Sequence, residues 1–136
     1  TSPNNSDLTQ SPILPTIAAF WDDLFIDTTP ESAVYWEVKG TGSNQQLVVQ
    51  WNEVQFLGAG SGDVITFQAI LQESDGTIQL NYLDLDSSHP DSGGVSASVG
   101  IKDLNFQIPG QSDNRLLITK DEGPSAFLDS GVSVKI

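Results

Sequence analysis

Cysteine and methionine are both absent from these 136 residues. Without Cys the chain can build neither a disulfide framework nor a thiolate metal site. Without Met, even at position 1, the expectation is a chain that starts at a processing point, with any signal peptide ahead of the residues shown. Basic residues are scarce, with 5 Lys and Arg against 18 Asp and Glu and a formal net charge of -13. Lys39, Lys102, Arg115, Lys120 and Lys135 are scattered, whereas a polyanion needs them clustered, so no nucleic-acid partner is expected. No apolar run approaches the roughly 20 residues that cross a bilayer as a helix, so no membrane insertion is expected. Histidine occurs once, as His89.

What is present is an acidic surplus on a chain long enough for one domain with its own core. Such a surplus draws divalent cations and suits an extracellular, calcium-containing setting. Residues 1–14, polar and rich in Pro, Ser and Asn, read as a flexible lead-in, and residues 15–136 as a single domain. Asn4-Asn5-Ser6 matches the N-glycosylation acceptor pattern, a short pattern that also arises by chance. The most unusual stretch is Pro15-Thr16-Ile17-Ala18-Ala19-Phe20-Trp21-Asp22-Asp23-Leu24. An apolar run without alternation suits a strand buried on both faces, with Phe20 and Trp21 feeding the core. Asp22 and Asp23 repel one another, and they can share one ligand only if the backbone turns between them.

Period-two patterning then dominates. Val34, Trp36 and Val38 alternate with Tyr35, Glu37 and Lys39, which predicts a half-buried strand with Trp36 inward. From Gln46 to Phe56, Leu47, Val49 and Trp51 share one face while Val48, Gln50, Asn52, Val54 and Phe56 share the other, the mark of an inner strand with Trp51 inward. The Gly-rich loop Gly58 to Asp63 lacks the Lys of a phosphate loop. Ile65 to Leu71 and Ile78 to Tyr82 flank Asp75-Gly76, the strongest short hairpin signal in the chain. After a polar loop from Asp84 to Gly94, strands are expected at 95–101, 116–118 and 132–136, with a loop over 103–114 and a turn at Gly123-Pro124. No segment carries a helical period. The expected fold class is all-β, an antiparallel β-sandwich of about eight strands.

Six blocks in series, Ile17 to Leu24, Val34 to Val38, Leu47 to Val54, Thr66 to Leu71, Asp75 to Tyr82 and Ala97 to Ile101, resemble the nidogen-like (NIDO) extracellular domain of matrix, adhesion and bacterial surface proteins. The chain departs from the family pattern at Ala19, where a Pro is usual, and in the absence of the strands with an aromatic-Asn-Gly turn that normally precede the first block. The resemblance implies an extracellular or cell-surface interaction module without catalytic residues, a sandwich lacking or borrowing its first strands, and a protein or glycan partner.

Tested for chemistry, the sequence offers little to an enzyme. Ser-His-Asp catalysis would have to use His89, with no Gly-x-Ser-x-Gly elbow in the chain, and zinc would find one His and no Cys. A carboxylate pair drawn from Asp22, Glu53 and Glu73 has no spacing argument in its favour. Calcium is the expected ion if one binds, with Asp84, Asp86 and Asp91 as one candidate set and Asp22 and Asp23 as another. The leading expectation is a non-catalytic extracellular adhesion module. The alternatives are a self-assembling structural subunit completed by a neighbour's strand, and a carbohydrate-binding domain using an exposed Trp or Tyr.

Overall fold

The structure, a computed structural model, describes residues 5–9, 11–60, 62–103, 114–120 and 127–136. Asn4 of the acceptor pattern, most of the 103–114 loop and the Gly123-Pro124 turn lie outside them. Among the described residues there are nine strands and no α-helix, arranged as two antiparallel sheets of three and six strands, neither closed into a barrel. The all-β class is therefore as the periodicity predicts. The chain falls into two compact units, each drawn from two stretches: 1–23 with 94–127, and 24–93 with 128–136.

The first unit holds β1 (Thr16–Trp21), β7 (Ser98–Lys102) and β8 (Arg115–Lys120), with β7 in the middle. The unalternating run buries Ala18, Ala19 and Phe20 in succession, and the β1–β7 register shifts between Ala18 and Trp21, which breaks the period of two. Gly100 has no room for a side chain, because a Cβ there would meet the Leu116 carbonyl and come within 2.8 Å of Leu8 Cδ1. Leu8 fills that place and has no exposed surface. The stretch expected as a lead-in is also held by polar contacts. Lys102 Nζ, on a largely buried side chain, donates to the carbonyls of Thr9 (3.1 Å) and Pro12 (3.2 Å). The Asn5 amide donates to the Trp21 carbonyl (2.9 Å) and to that of Ser96. A single apolar residue among side-chain-to-backbone bonds has no period, so patterning cannot see it.

In the second unit the order is β2 (Leu24–Phe25), β4 (Gln46–Phe56), β5 (Val64–Gln72), β6 (Ile78–Asp84) and β9 (Ser133–Lys135). Strand β3 (Ala33–Lys39) pairs with β4 further along the same edge as β2. The predicted β5–β6 hairpin is present. Its loop spans the four residues between Gln72 and Thr77, with Gly76 at φ 71° and the Asp75 carboxylate accepting the Thr77 N–H at 3.0 Å.

One expectation for β4 is corrected. Trp51 opposes Phe67 and Val54 opposes Ile65, so Asn52 and Glu53 together oppose Thr66, a bulge at which Glu53 takes φ 50° and donates its N–H to Thr66 Oγ1 (3.1 Å). The extra residue returns Val54 and Phe56 to the face of Leu47, Val49 and Trp51. Both are 1% exposed. A second shift, between Thr66 and Phe67 against β6, leaves Leu83 outside and Leu85 buried.

Candidate functional site

Residues directly opposed in antiparallel strands point to the same face, so the registers of the second unit give its cross-strand rows. On one face run Val34–Trp51–Phe67–Tyr82 and Trp36–Val49–Ala69–Leu80–Val134. Trp51 and Phe67 stack with centroids 4.8 Å apart and planes 11° apart. Burial pushes the Tyr82 hydroxyl pKa up. This face is the core of the unit over β5 and β6, but it opens to solvent at β3. Trp36 is 72% exposed, against the inward position its alternation predicts, because β3 has no strand beyond it among the described residues. Trp51 does lie half-buried.

On the other face one row reads Tyr35–Gln50–Gln68–Asn81–Ser133. Its amides are linked: Gln68 Nε2 donates to Gln50 Oε1 (2.7 Å), Gln50 Nε2 donates to Asn52 Oδ1 (2.8 Å), and Ser133 Oγ donates to Asn81 Oδ1 (2.7 Å). The adjoining positions are Val48, Ile70 and Gln79, then Gln46 and Gln72, whose amides bond at 2.6 Å. None of these eight central residues of β4, β5 and β6 (Gln46, Val48, Gln50, Gln68, Ile70, Gln72, Gln79 and Asn81) is ionisable, in a chain with 18 acids and 5 bases. Charge returns at the edges, where Lys39 Nζ lies 3.4 Å from the Glu37 carboxylate. Two open concavities flank the Gln50–Gln68 pair. One, of about 320 Å³, is lined by Tyr35, Glu37, Lys39 and Val48; the other, of about 280 Å³, by Asn81, Gly131 and Ser133.

Of the residues proposed for calcium, the carboxylates of Asp22, Asp84 and Asp91 have local partners. Asp22 and Asp23 do lie in a bend, where Asp22 Oδ1 accepts the Asp23 N–H (2.8 Å) and Oδ2 accepts Ser96 Oγ–H (2.5 Å). Asp84 Oδ1 accepts the Asp86 N–H at 3.0 Å. The Asp91 N–H donates to His89 Nδ1 (3.3 Å), which also lies 3.5 Å from the Asp91 carboxylate. Among the described residues no three His, Asp or Glu side chains gather as a metal site would require. The carboxylate that organises the 84–94 loop is one that sequence spacing missed. Asp63, in the Gly-rich loop, accepts both the hydroxyl (2.5 Å) and the N–H (2.9 Å) of Ser88, and these bonds, with His89 nearby, hold its pKa below the ordinary carboxylate value. His89 is stacked on Phe56 with centroids 4.9 Å apart. It is packed into its loop.

A family described as NIDO related matches residues 1–124. The chain belongs to the NIDO-related family. The match takes in the segment that carries Leu8 and stops short of β9. No curated protein and no solved structure matches the chain. No helix among the described residues of this NIDO-related domain is long and apolar enough to cross a membrane.

Proposed function

We propose that this NIDO-related domain is a non-catalytic interaction module of an extracellular adhesion-type protein, and that partners dock along the β3 side of the second unit. The observation that carries the reading is β3 itself: seven residues at a sheet edge with no further strand beside it among the described residues, with Trp36 72% exposed and Tyr35 49% exposed on opposite faces. Exposed aromatics and an edge strand offer contact area and backbone hydrogen bonds to another chain. Turnover is the test. Incubation with polysaccharides and peptides should release neither reducing ends nor fragments, and release that disappears on changing Glu53→Gln or Asp22→Asn overturns the non-catalytic reading.

A second reading, carbohydrate binding, is favoured by a different observation. Tyr35 stands exposed at one end of a row of side-chain amides. Amides offer donors and acceptors together, which is what hydroxyl-rich ligands need. Retention of the domain on an immobilised polysaccharide, released by the same polysaccharide in solution, is the outcome expected of this reading.

A further inference from the structure

The amide face specifies more than a sugar in general. Its row crosses five strands, four interstrand steps of about 4.8 Å each, so it extends roughly 19 Å. Each amide has two N–H donors and two acceptor lone pairs. The Gln68→Gln50→Asn52 chain uses one donor and one lone pair of Gln50 and one donor of Gln68, which fixes both side chains while leaving donors and lone pairs to face outward. Fixed amides forfeit little rotamer entropy when a ligand arrives. The concavities on either side of this pair share Gln50 and Gln68 as a common wall. The larger, about 320 Å³, lies at the low end of the 300–1,000 Å³ or so of small-molecule sites. Its lining joins the Tyr35 ring and Val48 to the polar heads of Gln50, Glu37 and Lys39, so one surface offers apolar contact and the rest hydrogen bonds.

Charge selects among the occupants. The central positions carry no ionisable side chain, while the chain as a whole carries a net charge of -13. A polyanion would meet the acidic surplus without compensating cations at the centre. A polycation would find no carboxylate in the row and, in the concavity at β3, only Glu37, which already faces Lys39 at 3.4 Å. An apolar peptide would strand amide groups away from water, at a cost for each unpaired donor or acceptor. An uncharged hydroxylated chain satisfies them.

We propose that the row Tyr35–Gln50–Gln68–Asn81–Ser133 binds an uncharged glycan, with one sugar ring against Tyr35 in the concavity at β3 and another in the concavity beside Asn81 and Ser133. The proposal rests on the carbohydrate-binding reading and adds to it the face, the residues and the charge class. Stacking on Tyr35 is through the ring, so its hydroxyl is dispensable.

Affinity electrophoresis through native gels tests it, using gels cast with neutral galactomannan, xyloglucan, mixed-linkage β-glucan or dextran, and with anionic polygalacturonate. The chain should be retarded by at least one neutral polymer and not by polygalacturonate. In that polymer Tyr35→Ala and the double variant Gln50→Ala/Gln68→Ala should bind about tenfold or more weakly, as loss of a stacking platform or of two bonding amides implies. Tyr35→Phe and the remote Leu57→Ser should be retarded like the parent. Melting curves of each variant separate lost binding from lost folding, and Tyr35→Phe keeps the Tyr35 arm interpretable if Tyr35→Ala unfolds. Retardation by none of the polymers, neutral or anionic, overturns both this proposal and the carbohydrate reading. Retardation that survives in the folded amide variants overturns the assignment to this face and leaves the carbohydrate reading standing. Retardation by polygalacturonate alone overturns the uncharged class.

Discussion

In the six-stranded sheet two neighbouring cross-strand rows, contributed by the same strands, meet opposite fates. Along Trp36–Val49–Ala69–Leu80–Val134 exposure falls from 72% at the edge to 0% at Leu80, whereas Tyr35–Gln50–Gln68–Asn81–Ser133 stays at least partly in solvent throughout. One residue of offset separates an apolar row that closes into a core from an amide row that stays in solvent. The apolar row contributes stability, and the amide row contributes a surface whose hydrogen bonds are exchangeable with those of water or a ligand.

The most direct way to break this comparison is to truncate one residue on each side of it. Phe67→Ala removes a ring that is 1% exposed and stacked on Trp51, and should cost about 3 to 5 kcal/mol in urea unfolding. Its neighbour Gln68→Ala should stay within about 0.5 kcal/mol of the parent. Equal losses would mean that the amide row is structural. Leu8→Ala extends the same contrast to the first unit and should cost about 2 to 5 kcal/mol, while Ile13→Ala, 66% exposed five residues on, should change little.

These contrasts also show what was legible. The hairpin at Asp75-Gly76 follows from turn chemistry and alternation, both of which are local. The amide row was legible only in part: Gln50 and Asn52 read as one face of β4, but the link from Gln50 to Gln68 and Tyr35 needs the register of three strands. Trp36 was assigned the correct face and the wrong environment, because burial at an edge depends on what lies beyond β3. The Asn52–Glu53 bulge has no signal in its residues, since neither is a glycine, and it reversed the assignment of Val54 and Phe56. The aspartates at 84, 86 and 91 were singled out by their spacing, which carries no sign of the contacts that Asp84 and Asp91 make with residues two positions away.

The bulge sharpens the comparison further, because it decides which face the end of β4 joins. A β-branched residue resists the left-handed conformation held by Glu53, so Glu53→Val should cost about 1 to 2 kcal/mol, and Glu53→Gly should be neutral or stabilising. Melting temperatures that rank Gly at or above Glu, and Glu above Val, are the expected outcome. The reverse order would remove the bulge as the reason for the inward turn of Val54 and Phe56.

The smallest effect lies at the end of the sheet, where Asp63 joins the Gly-rich loop to Ser88. The Ser88 hydroxyl first, and then its N–H, depress the folded-state pKa of this carboxyl. A depressed folded pKa contributes stability that is fully present above the unfolded value, about 3.9, and is lost as pH falls through the folded value below it. Asp63→Asn should therefore lower the urea midpoint slightly at pH 7 and flatten its decline between about pH 5 and 2, since the amide keeps an acceptor oxygen but cannot titrate. Because the two loops adjoin the apolar face at Phe56 and His89 and leave the amide row untouched, the same variant should bind any ligand of that row with parental affinity. A variant that loses binding while its melting curve is unchanged would place the 57–63 loop in the recognition surface and move the boundary between the two faces.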